Sequence, residues 1–90
     1  MSPSEDHRFR IAGEPWLWRY SRLAGQAWGW TDYEAKKVLV DSTLSGRRRL
    51  EIELHEGLHA ALGPTVAEES VTHAANDLAR VLWSLGYRRA

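Results

Sequence analysis

His55-Glu56-Gly57-Leu58-His59 lies inside an apolar-periodic run from Leu50 to Leu62, and it constrains the chain more tightly than any other stretch. In a helix, histidines four residues apart stand one turn apart on the same face, with their side chains rooted roughly 6 Å from each other. That spacing lets two imidazoles grip one metal ion. Glu56 is rotated about 100° from His55 around the helix axis, so its carboxylate can reach a metal-bound water while staying off the metal. The arrangement is that of a zinc hydrolase, with Zn2+ as the expected cofactor and Glu56 as the expected general base. Catalytic zinc usually takes three protein ligands and leaves a fourth position for water. A third ligand must therefore come from outside the motif.

The obvious supply is Ala67-Glu68-Glu69-Ser70, which opens the next periodic segment after the break at Gly63-Pro64. Acidic side chains in the first turn of a helix also sit favourably in the positive end of its dipole. The periodicity predicts a first helix from about Arg47 to Leu62, with Leu50, Leu54, Leu58 and Ala61 as its apolar seam. His55 and His59 share the neighbouring stripe with Glu51 and Leu62. A second helix is expected from about Val66 to Leu85, stopped by Gly86, with Val71, Ala75, Leu78 and Leu82 as its seam. At about 100° per residue, Glu68 falls close to the centre of that seam and Glu69 far from it. Glu68 is therefore expected to be the third ligand beside His55 and His59, with Glu69 as the alternative. Gly57 costs a helix about 1 kcal/mol relative to Ala, which points either to a close approach at that position, by neighbours of the metal site or by a substrate, or to a position that simply tolerates it.

Before the helices, Trp16, Trp18 and Tyr20 alternate with Leu17 and Arg19, the period-2 mark of a strand with one aromatic face. Ala27-Trp28-Gly29-Trp30-Thr31 alternates again, and Lys36-Lys37-Val38-Leu39-Val40-Asp41 reads as a third strand. Short connections between the three suggest an antiparallel meander. The expected fold is α+β, a three-stranded antiparallel sheet followed by two helices. Residues 1–14 mix charge, Pro and Gly without a sustained period and are expected to be a loosely ordered segment. Residues 15–90 would form the single domain.

The composition narrows the function classes. Ninety residues allow one small core that buries only about 60 to 65% of the unfolded surface, so stability calls for a staple. The chain has no cysteine, and a metal joining two helices would fill that role. Twelve basic and twelve acidic residues balance, which gives no electrostatic reason to expect nucleic acid as a partner. No apolar run approaches the roughly 20 residues needed to span a bilayer, and the polar, acidic start is unlike a signal peptide. The expectation is a cytoplasmic protein with a peptide or protein substrate and no membrane partner. Five tryptophans invite a stacking role, but strand alternation and the need to fill a small core make Trp16, Trp18, Trp28 and Trp30 mainly structural.

HExxH followed by a helix beginning Glu68-Glu69 resembles the gluzincin pattern. The plan is similar to small single-domain members: minigluzincins and the ImmA/IrrE- and SprT-like metallopeptidases of phage and bacterial genomes. The likeness extends to Trp30-Thr31-Asp32, Val38-Leu39-Val40-Asp41 and Leu50-Glu51 before the motif. After it, Asp77-Leu78-Ala79-Arg80, Leu82-Trp83 and Leu85-Gly86-Tyr87 match as well. The resemblance implies a zinc-dependent peptidase reduced to its catalytic core, hydrolysing peptide bonds with a zinc-activated water. The chain departs from larger members in lacking a second subdomain and a recognisable oxyanion-stabilising motif. His73, Tyr33 and Tyr87 are the candidate donors for that task, and a solvent-facing or partly packed role is the stronger expectation for His73. The rival readings are a zinc-stabilised protein-interaction domain without turnover, and a metal-free module binding through its tryptophan-rich face.

Overall fold

The computed structural model describes residues 4–25 and 27–89. Its elements in chain order are β1 (Glu5–Ile11), β2 (Glu14–Ser21), β3 (Gly29–Asp32), β4 (Lys37–Asp41), α1 (Gly46–Leu62) and α2 (Glu68–Ser84). The fold is α+β with two helices, but the expected three-stranded antiparallel sheet is wrong. The sheet has four strands in the order β1-β2-β4-β3 and is mixed, because β2 and β4 run parallel while β1·β2 and β3·β4 are antiparallel.

Two physical causes account for the difference. The stretch expected to be loose contains β1, whose Glu5, His7, Phe9 and Ile11 alternate with Asp6, Arg8 and Arg10. Charged residues on both faces disguise that alternation. Ala12 and Gly13 then close a two-residue hairpin with φ of 53° and 79°, the left-handed pair that suits the twist of the flanking strands. The second cause is β4. Val38 and Val40 are fully buried, and a strand this apolar belongs in the sheet centre rather than at its edge. The chain therefore carries β3 past it to the outside, and β4 returns between β3 and β2.

Helix α1 packs on the sheet through Ile52, Glu56 and Ala60, against a core that includes Trp16, Val38 and Val40. Helix α2 packs mainly on α1, so α1 has neighbours on two sides. This explains why the expected seam of leucines is only half-buried. Leu50 and Leu54 lie roughly opposite Ile52, Glu56 and Ala60 on the helix surface and serve the second layer. On α2 the buried residues are Val71, Ala75 and Ala79, while Leu78 is 41% and Leu85 is 69% exposed. Small side chains at 75 and 79 bring the two helix axes close. Trp16 is buried, but Trp28 and Trp30, expected to fill the core, are half-exposed or more. None of the described helices is long and apolar enough to cross a membrane.

The mid-helix glycine faces Trp18 of the sheet, but no close approach requires a glycine there. A Cβ on Gly57 would meet Trp18 Cη2 at 3.4 Å and Cζ3 at 3.6 Å, ordinary van der Waals contact. Gly57→Ala is therefore expected to fold unchanged and to gain up to about 1 kcal/mol in urea denaturation from helix propensity. A loss in that titration would mean that Trp18 cannot accommodate the methyl group.

Candidate metal centre

His55 and His59 project from one flank of α1, and their rings lie 4.9 Å apart between centroids. The turn at Gly63-Pro64 brings the start of α2 back across this flank. Glu68 then places one carboxylate oxygen 2.8 Å from His55 Nε2 and the other 2.6 Å from His59 Nε2. The glutamate side chain is 67% exposed, whereas the imidazoles are 18% and 14% exposed. An exposed carboxylate would otherwise be free in water, so its bridging of two half-buried rings is the local organising contact. The three residues offer ligand atoms that all lie within 4.8 Å of one another. Glu69 does not join them, and among the described residues no fourth His, Cys, Asp or Glu completes the group. Two imidazole nitrogens and one carboxylate oxygen form the donor set that zinc accepts with a position left open.

Glu56 lies beside the cluster, between α1 and the sheet, where it lines the same cleft, and the residue is only 8% exposed. Its carboxylate is held by Thr31 of β3, whose hydroxyl donates to Oε1 at 2.7 Å and also lies 3.1 Å from the Glu56 carbonyl. Gly29, two residues earlier on β3, faces the same side chain. A Cβ at this position would stand 2.8 Å from Glu56 Cγ, 2.8 Å from Ile52 Cγ2 and 2.9 Å from Glu56 Oε2. No side chain fits there without moving the glutamate. Gly29→Ala is therefore expected to destabilise the fold by about 1–3 kcal/mol through overpacking, measured as a lower urea midpoint. An unchanged midpoint would contradict the tight seating of Glu56.

Tyr33 follows β3 and sets the second face of His59. Its hydroxyl lies 3.1 Å from His59 Nδ1. Burial, and then the charges of Glu56 and Glu68, raise the phenol pKa above its ordinary value, so Tyr33 is a neutral phenol at neutral pH. It donates when Nδ1 is bare and its oxygen accepts when Nδ1 carries the proton. A metal ligand bound through Nε2 needs the second arrangement, and such a partner fixes both tautomer and ring orientation. Tyr33 thus orients an imidazole in this structure. Of the other two candidate donors, His73 is exposed on α2. Tyr87 is 62% exposed and lies with Gly46, Arg49 and Leu50 near the start of α1, at the far end of the helix from His59.

The resulting cleft has a volume of about 330 Å3, with β3 from Gly29 to Thr31 along one side and His55, Glu56, His59 and Glu68 along the other. Thr31 and Gly29 are the residues that sequence reasoning missed. The signal for them was present, because the alternation that sends Trp30 to one face of β3 sends Gly29 and Thr31 to the face turned toward α1. None of the family models, curated proteins or solved structures compared with the chain matches it.

Proposed function

We propose that the chain is a zinc-dependent metallopeptidase in which His55, His59 and Glu68 hold the metal and Glu56 is the general base. The observation that carries this reading is the convergence of both HExxH histidines on one glutamate from the next helix, with the motif glutamate kept out of the cluster. Zinc bound by such a set supplies a Lewis acid and lowers the pKa of a bound water toward about 7. Glu56 has one oxygen engaged by Thr31, which leaves Oε2 to take a proton from the attacking water and deliver it to the departing amine. No covalent intermediate on the protein is needed.

The neighbouring strand suits a peptide. β3 is a sheet edge, so its outer backbone groups can pair with an extended chain laid along the cleft, giving affinity with little sequence selectivity. A peptide or unfolded protein segment is therefore the proposed substrate. The alternative, a zinc-stabilised interaction domain without turnover, has less support. A structural zinc site is normally closed by a fourth protein ligand, and the group found among the described residues has three.

The test is cleavage of a fluorogenic peptide library and of unfolded casein by the purified chain. Cleavage abolished by a chelator and restored by zinc is the expected result. Zinc binding with no cleavage above that of Glu56→Gln would favour the interaction domain.

A further inference from the structure

Zinc accepts a glutamate oxygen as well as an imidazole nitrogen, so what keeps Glu56 out of the donor set shapes the site as much as what brings Glu68 in. Glu56 follows His55 on α1 and lines the same cleft as His55, His59 and Glu68. The three-residue group nevertheless forms without it. Two residues of β3 account for this. A glycine at position 29 leaves the space that the Glu56 side chain fills, since a Cβ there would stand 2.8 Å from Cγ. Thr31 then holds the end of the side chain, its hydroxyl donating to Oε1 at 2.7 Å.

Packing alone does not select a threonine at this position. Thr31 stands opposite Val38 in the β3·β4 register, and Val38 is fully buried. Valine has nearly the shape of threonine and a similar preference for strands, so an apolar residue would serve the contact with α1. The hydroxyl instead meets a buried carboxylate, which needs a hydrogen-bond partner. The main chain of the same strand has a second use. Asp41 N–H donates to Trp28 O, and hydrogen-bonded pairs alternate along an antiparallel ladder. Trp28 and Trp30 therefore turn their main-chain groups toward β4, while Gly29 and Thr31 turn theirs to the free edge. A peptide laid along that edge meets the two residues that seat Glu56.

We propose that Thr31 is a positioning residue, whose hydroxyl fixes Glu56 as a base beside the metal rather than a ligand to it. The inference rests on the metallopeptidase reading above and goes beyond it, because it makes the rate depend on a hydroxyl that touches neither the metal nor the reacting bond.

The test is a double-mutant cycle of Thr31→Val with Glu56→Gln on the zinc-loaded chain, read as kcat and KM for a peptide that the native chain cleaves. Thr31→Val is expected to lower kcat about 10- to 100-fold, since a displacement of about 1 Å in a reacting group costs up to about 100-fold. KM should stay within about twofold, because the strand's main chain is untouched. Thr31→Ser, which restores the hydroxyl, is expected to restore kcat to within about threefold of the native value. In the Glu56→Gln background Thr31→Val should change the rate by less than about twofold, since a residue acting through Glu56 has nothing left to position. A readout independent of turnover is the side-chain carboxylate carbon of Glu56, followed by NMR in the metal-free chain and assigned by its loss in Glu56→Gln. It is expected to move in Thr31→Val and to return in Thr31→Ser. If Thr31→Val does not fold, Thr31→Ala, whose smaller side chain lets water reach Oε1, takes its place in the cycle. The proposal is overturned by a native kcat in Thr31→Val, by an unmoved carboxylate signal, or by equal losses in the native and Glu56→Gln backgrounds, which would make the role of Thr31 structural. Failure of the metallopeptidase reading looks different: the native chain then cleaves no faster than Glu56→Gln whatever stands at position 31, and the proposal falls with it.

Discussion

Glu56→Gln is expected to lower peptide hydrolysis by about 10²- to 10⁴-fold, the usual contribution of a positioned general base, while bound zinc stays near one per chain. The separation of the two effects follows from the geometry. Glu56 is buried against β3 and donates nothing to the cluster formed by His55, His59 and Glu68. Glutamine has nearly the same shape and can still accept from Thr31 through its amide oxygen, so neither the fold nor the donor set should change. What it lacks is an oxygen able to take a proton. Steady-state cleavage rates beside elemental analysis of the same samples check this. A variant that cleaves as fast as the native chain would remove Glu56 from the chemistry.

The second large effect concerns stability. The described core is small, with nine buried apolar residues, three of them alanines. The cluster ties α1 to the first turn of α2, which otherwise packs mainly on α1 alone. A metal held by both helices binds the folded chain and not the unfolded one. At a free concentration about a thousandfold above its dissociation constant it adds about 4 kcal/mol, and a domain of this size shifts by roughly 4 °C or more per kcal/mol. Chelation is therefore expected to lower the melting temperature by about 15 °C in a calorimetric scan, and the shift should vanish in His59→Ala. Equal melting temperatures with and without chelator would show that the histidine-glutamate contacts alone hold the helices.

Some of this was legible in the chain and some was not, for identifiable reasons. Both helices were readable because long periodic segments ended by Gly63-Pro64 and Gly86 leave few alternatives. The choice between Glu68 and Glu69 followed from their angular positions, and the structure brings Glu68 and not Glu69 against both imidazoles. Of the expected α2 seam, Val71 and Ala75 are buried, but Ala79 takes the place expected of Leu78 and Leu82, and the leucines of α1 serve a second layer. The sheet was harder to read. β1 carries charges at four of its seven positions, and nothing in the local pattern says that β4 inserts between β2 and β3. Such pairing is settled by burial of Val38 and Val40 across the whole domain. The alternation of β3 carries the signal for Thr31, and Tyr33 stands among the candidate donors, but their partners Glu56 and His59 are not legible because they lie 25 and 26 residues away on α1.

Zinc content by elemental analysis bears most directly on the central claim. The chain would be purified without added metal, then measured as the native sequence, as Glu68→Ala and as Glu69→Ala. About one zinc per native chain, lost in Glu68→Ala and kept in Glu69→Ala, is the expected result. No zinc in the native chain even after incubation with excess metal would contradict it and leave His55, His59 and Glu68 as a hydrogen-bonded cluster that joins two helices.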